Sequence, residues 1–137
     1  MNTTVTGYEP RFDIDLRRGQ VGEQQTLNVI DALQQGRVEV KTDYGVGVTG
    51  NLYIEFEKQN RQGEWVPSGL GVTESDWWAF AFADGVIFVA TETLKRLARE
   101  YWRSGHVGQR NGNEHSSASR GVKLPVKDLV ANMEPYS

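Results

Sequence analysis

Apolar and polar positions alternate along Arg37-Val38-Glu39-Val40-Lys41-Thr42-Asp43 and again along Asn51-Leu52-Tyr53-Ile54-Glu55-Phe56-Glu57. A period of two is that of a strand with one buried face. Val38, Val40 and Thr42 form the apolar side of the first run, and Glu39, Lys41 and Asp43 its polar side. Leu52, Ile54 and Phe56 oppose Tyr53, Glu55 and Glu57 in the second. Joined through the glycine-rich stretch 44–50, the two runs predict an antiparallel hairpin that gathers its carboxylates and Lys41 on one face.

Upstream, residues 1–11 read as a polar lead-in, and Phe12-Asp13-Ile14-Asp15-Leu16 alternates like a short strand. The period then changes to that of a helix over residues 21–35, stopped by Gly36, with Thr26, Val29, Ile30 and Leu33 as its apolar face. Glu23 falls near that same face, in the first turn. Downstream, residues 64–69 predict a third strand, closed by Pro67. Thr73-Glu74-Ser75-Asp76 has the form of a helix start, so Trp77 to Phe82 is expected to be helical. Residues 86–90 are uniformly apolar, as in a strand covered on both faces. Thr91 is expected to cap a helix reaching Arg103. Residues 105–121, rich in Gly, Ser and Asn, read as a mobile polar loop, followed by a strand at 122–126 and a short helix from Lys127.

The mixture predicts an α/β or α+β fold, a central mixed sheet flanked by helices. A length of 137 residues suits one domain over residues 1–137, with its core at about 12–104. A hydrophobic share of 38% and a charged share of 24% are those of a water-soluble protein. No apolar run approaches a membrane span, and the N-terminal residues lack the basic and apolar regions of a signal peptide, so no membrane partner is expected. The chain has no cysteine, which excludes disulfides and thiolate metal sites and agrees with a cytoplasmic location. The net charge of −3 argues against a general nucleic-acid coat but leaves room for an acidic metal site beside a local basic patch.

Two groups of residues carry candidate chemistry. Residues two apart on a strand share a face, so Glu39 and Lys41 project side by side. Metal-assisted phosphodiester cleavage requires hard oxygen ligands and a cation near the attacking water and scissile phosphate. Glu39 can supply a ligand, Lys41 the cation, and Glu23 or Glu55 another carboxylate. Were Glu39 to lie opposite Glu55 in the hairpin, the repulsion of the pair would favour a bridging cation. The second group is a basic stripe of Lys95, Arg99 and Arg103, with Arg96 adjacent, beside the apolar stripe Leu94, Leu97, Ala98, Tyr101 and Trp102. Extended by Arg110, Arg120 and Lys123, it suits a phosphate-tracking surface.

Gly22-Glu23 opening a helix, followed by Val38-Glu39-Val40-Lys41 on a strand, resembles the PD-(D/E)XK nuclease superfamily. That group includes restriction endonucleases and Holliday junction resolvases. The order helix-strand-strand-strand-helix-strand from Glu23 to Ala90 is similar to its common core. The run from Glu39 to Glu57, with Ser68-Gly69-Leu70 and Thr73 to Trp78, also resembles small phage-encoded members. The resemblance implies a restriction-endonuclease-like fold and a Mg²⁺- or Mn²⁺-dependent nuclease acting on DNA, including branched DNA, as a homodimer in the cytoplasm (the host's, if phage-encoded). Only Glu23, Glu39 and Lys41 match its motif positions, and the metal is expected on Glu23, Glu39 and a hairpin carboxylate, Glu55. The superfamily's aspartate has no counterpart before Glu39, and Asp43, Glu55 and Asp15 are the candidates for its role. A second registration takes Asp43 as the aspartate and Glu55-Phe56-Glu57 as a Glu-x-Glu variant. That vacancy also admits a non-catalytic module that binds nucleic acid or protein, or an acidic inhibitor of a nucleic-acid enzyme.

Overall fold

The computed structural model describes residues 10–42 and 49–133, with side chains from residue 16 onward. Its first element is a long helix, α1 (Pro10–Gln34). The stretch 12–16, expected as a strand, is helical, because a lone alternating segment without a partner strand leaves its amides unpaired whereas a helix satisfies them locally. Gly36, at φ +69°, ends α1: the Arg37 amide donates to Ala32 O at 2.8 Å and the Gly36 amide to Leu33 O at 3.2 Å.

Among the described residues seven strands follow: β1 (Val38–Thr42), β2 (Asn51–Gln59), β3 (Trp65–Pro67), β4 (Trp77–Phe82), β5 (Gly85–Ala90), β6 (Val107–Arg110) and β7 (Ser119–Pro125). A 3-10 turn (Gly69–Gly71) follows β3, and helices α2 (Thr91–Arg103) and α3 (Val126–Ala131) follow β5 and β7. The described residues thus form a mixed α+β fold with two sheets, ordered β1-β4-β5 and β3-β2-β7-β6.

The expected β1–β2 hairpin does not form. β1 runs parallel to β4, with Glu39 beside Trp78 and Lys41 beside Phe80, while β2 pairs with β3 and β7. The cause lies in β4. Trp77 to Phe82 is a strand and not a helix, and its uniformly apolar sequence suits a central strand with neighbours on both edges. β5 supplies one neighbour through the short turn at residues 83–84, and β1 supplies the other. The Thr73 side chain caps no helix; its Oγ1 accepts from the Ser75 amide and from Trp78 Nε1, both at 3.3 Å. Nor does β5 have two covered faces. It is an edge strand, and Val86 at its start is 50% exposed.

Trp78, Phe80 and Val89 meet Leu52 and Ile54 of β2, Val122 and Leu124 of β7, and Leu94, Leu97 and Ala98 of α2 in one core, each at most 2% exposed. Their burial is the main favourable term for the fold, at roughly 1.5–3 kcal/mol for each large aliphatic or aromatic side chain. The α2 stripe points where its periodicity predicts, with Tyr101 and Trp102 half-buried at its rim. On the far face of β4, α1 contributes Val29 and Ala32, both buried, and its Ile30 and Leu33 share a cleft with Trp77, Phe88 and Ala90. Thr26, Ile30 and Leu33 stay exposed, so the buried stripe of α1 is narrower than the sequence suggests.

The core extends past residue 104. Residues 107–125 make the β6–β7 hairpin in place of a loop, and Val122, Leu124 and Leu129 are fully buried. At its tip Asn113 Oδ1 accepts from the amides of His115 (2.7 Å) and Ser116 (3.0 Å). Ala90, not Thr91, is the cap residue of α2. Thr91 is buried, its hydroxyl donating to Ser75 O at 2.7 Å and its amide to Asp76 O at 2.9 Å. No helix among the described residues is long and apolar enough to cross a membrane.

α3 is tied to α2 by the Tyr101 hydroxyl, which donates to Asp128 Oδ2, and by Arg96, which donates to Asn132 O at 3.2 Å. The Asp128 hydrogen bond, with burial and the carboxylate's charge adding to it, pushes Tyr101 up to about 12. The unfolded tyrosine ionises near 10.0, so this contribution to stability is whole below that pH and is lost as the pH rises toward 12. Urea midpoints measured across that alkaline window should fall more steeply for wild type than for Tyr101→Phe, which lacks the titrating hydroxyl.

Candidate metal site

β1 reverses its expected orientation. Residues paired in register within a sheet project to the same side, so Glu39 and Lys41 share the face of Trp78 and Phe80, turned toward the second sheet. Val40, expected to be buried, is 58% exposed. Because β1 is an edge strand, its polar pair reaches the rim of the core without being enclosed by it: the two side chains retain 42% and 46% exposure. Lys41 Nζ lies 2.9 Å from Glu39 Oε1 and 5.6 Å from the centre of the Trp78 ring. The lysine is therefore held between a carboxylate and an aromatic face.

Glu55 arrives from the other sheet. β2 and β7 shift register between Glu55 and Glu57, a bulge that re-aims the two carboxylates. Glu55 Oε2 accepts a hydrogen bond of 2.8 Å from the hydroxyl of Ser68, itself only 5% exposed. Ser68 is fixed in turn by its amide, which donates to Phe56 O at 2.7 Å. Gly69 follows with φ +52°, and a Cβ there would lie 2.4 Å from Glu55 O. Only glycine meets both demands, the left-handed backbone and the contact with β2.

Glu39, Lys41 and Glu55 line one cavity of about 350 Å³, with Lys58, Ser68, Gly69 and the segment from Thr73 to Ser75 completing its walls. Residues expected to meet across a hairpin therefore line one cavity from two sheets. Glu23 is not among those lining residues, and it is exposed. At 3.6 residues per turn it lies about 180° around α1 from the buried Ala32, so the face that packs α1 on the sheet turns Glu23 outward. Asp43 lies outside the described residues, as does the side chain of Asp15, whose backbone belongs to α1. Glu57 is engaged elsewhere, paired with Arg120 at 2.5 Å, which separates it from Glu55 and removes the Glu-x-Glu variant from this cavity. Among the described residues no three acidic or histidine side chains cluster closely enough to hold a metal by themselves. Ser68 and Lys58 were not distinguished as site residues by their sequence context. The Pro67-Ser68-Gly69 run was the available signal, a small polar residue beside a glycine.

The basic residues divide. Lys95 and Arg99 line a second cleft of about 420 Å³ with Phe56, Glu57, Leu70, Gly71 and Trp102. Arg103 is exposed at the end of α2. Arg96 is occupied with Asn132 and stands 3.8 Å from Glu100, and Arg110 lies on β6 with its guanidinium 4.0 Å above the Tyr53 ring. The cleft that takes Lys95 and Arg99 is thus not lined by Arg96, Arg103 or Arg110.

No protein-family model, no curated protein and no solved structure matches this chain.

The clamp on Glu55 can be tested against a matched control. Gly63 also has positive φ, at +79°, but a Cβ there meets nothing within 4 Å. Gly63→Ala should cost about 1 kcal/mol through backbone strain alone. Gly69→Ala adds the collision with Glu55 O and should cost at least about 2 kcal/mol more in urea denaturation.

Proposed function

We propose that the protein is a metal-dependent phosphodiesterase acting on DNA, with Glu39, Lys41 and Glu55 as its working residues. The observation that carries this reading is that Glu39 and Glu55, on different sheets, line one open cavity together with Lys41. With Glu74 the lining carries three carboxylates against the two lysines Lys41 and Lys58, an excess of negative charge that a cation would offset, and Mg²⁺ is commonly held by one or two carboxylates with water in its remaining positions. The donor set suits such an ion. Ser68 occupies one oxygen of Glu55 and Lys41 one oxygen of Glu39, which leaves an oxygen of each free to face the cavity.

Glu39 and Glu55 would hold the ion, which, when bound, polarises a phosphoryl oxygen and makes a water more acidic. Ser68 orients Glu55, and the bulge in β2 keeps that carboxylate from swinging toward Arg120. Lys41 is poised by Trp78 to trade its contact with Glu39 for a non-bridging phosphate oxygen, where its charge offsets that developing in the transition state. Lys58, on the wall of the same cavity, adds positive charge for an incoming phosphate. Branched or free-ended DNA as the substrate, and a homodimer cutting both strands, belong to this proposal through the family resemblance.

A second reading has a specific observation behind it. Lys41 is already neutralised by Glu39, and Glu23 stands apart, as suits a fold that binds nucleic acid without cutting it.

Cleavage of plasmid and branched-junction DNA in Mg²⁺ or Mn²⁺ separates the two. Glu39→Gln, Glu55→Gln and Lys41→Met should each lower the rate by about 10²-fold or more. Glu23→Gln should leave it unchanged. Calorimetry should show weaker Mn²⁺ binding in both glutamate variants and not in Lys41→Met. Absence of both cleavage and Mn²⁺ binding in wild type would establish the non-catalytic reading.

A further inference from the structure

The cleft beside α2 has features that a phosphate-tracking surface does not require. It is concave, and its volume of about 420 Å³ lies within the range of small-ligand pockets. Its lining contains two aromatic rings, Phe56 and Trp102, set edge to face with centroids 5.5 Å apart. Both are half-buried, so part of each ring remains open. Two cations border the rings. Lys95 and Arg99 are one helical turn apart on α2, and among the described residues neither has an acidic partner. The one carboxylate in the lining, Glu57, is neutralised by Arg120 at 2.5 Å, so the cleft is net positive in a chain of net charge −3. The cleft also adjoins the metal cavity. Leu70 and Gly71 line the former, Ser68, Gly69 and Val72 the latter, and Glu57 and Glu55 stand in the two on either side of the β2 bulge.

We propose that this cleft binds a single unpaired nucleotide, with the phosphate on Lys95 and Arg99 and the base against Trp102 and Phe56. A duplex presents its phosphates but keeps its bases stacked, and would use the cations while leaving the rings idle. An acidic peptide would do the same. A nucleotide out of the stack satisfies both, since every base has a π-face and each phosphate one negative charge. This deepens the proposed DNA-directed function by giving the substrate a single-stranded feature, a flap, end or junction, held one turn of chain away from the carboxylates. The chemistry fits a nucleotide within a strand or a free one, and we assign it to the strand because residues 68–72 and the two carboxylates of β2 line the cleft and the acidic cavity in turn.

The test is binding of a short fluorescein-labelled oligo(dT) to the full chain by anisotropy, in EDTA so that cleavage plays no part. Lys95→Gln/Arg99→Gln should weaken binding at least tenfold and lower the log–log salt slope by about 0.7, the share of the one phosphate the two side chains hold. Trp102→Leu should weaken it about fivefold or more with the salt slope unchanged, and Trp102→Phe, which keeps a ring on Phe56, should restore most of it. Blunt duplex should respond to the double variant and not to Trp102→Leu. Wild-type binding by Trp102→Leu, or displacement of the oligonucleotide by polyglutamate at equal charge concentration, would overturn the nucleotide site. Equal affinity for dTMP and oligo(dT) would overturn the assignment to a strand. Because metal is absent, a protein that never cuts DNA can still pass, and one that cuts but ignores Trp102 fails here alone.

Discussion

The parallel pairing of β1 with β4 is the constraint on which the rest of the structure depends. β4 is apolar on both faces and must be flanked on both edges, or its amides and its Trp78 and Phe80 side chains would meet water. β5 can reach one edge through a short turn. Taking β1 for the other edge fixes the direction of Glu39 and Lys41, since residues in register point to the same side. An edge position then leaves the pair half-exposed at the margin of the core.

The same pairing frees β2 for the second sheet, and there the bulge has the greater consequence. Without the shift between Glu55 and Glu57, two carboxylates two residues apart would share one face. With it, Glu55 goes to Ser68 and the cavity it shares with Glu39, and Glu57 goes to Arg120 and the α2 cleft. The Ser68–Val72 segment becomes a wall between two spaces of different chemistry, one acidic and hydroxylic, the other basic and aromatic. Gly69 allows that wall to lie directly against the β2 backbone.

Much of the molecule is legible in the chain, and what is legible is local. The α2 stripe, the stop at Gly36, the strand period of β1 and β2 and the pairing of Glu39 with Lys41 all rest on side chains a few residues apart. The misreadings share a cause as well. Trp77 to Phe82 is too short and too uniformly apolar for periodicity to distinguish strand from helix, and Thr73 offers a capping residue to a helix that does not exist. Residues 12–16 alternate by composition alone, and continuation of a 25-residue helix overrides them. Polar composition concealed the β6–β7 hairpin, whose core face is carried by β7.

By itself, the sequence determined which residues are chemically capable: an acidic pair with its lysine, a third carboxylate, a basic amphipathic helix and a core of alternating aliphatics. Those follow from side-chain type and short-range spacing. Tertiary structure decided which of them meet. It separated Glu23 from the cavity because the buried stripe of α1 runs through Val29 and Ala32, and it set Glu39 and Glu55 on the walls of one cavity from two sheets and not across a hairpin. Strand partnership depends on which edges remain unpaired after every other strand is placed, and no local stretch of residues carries that information.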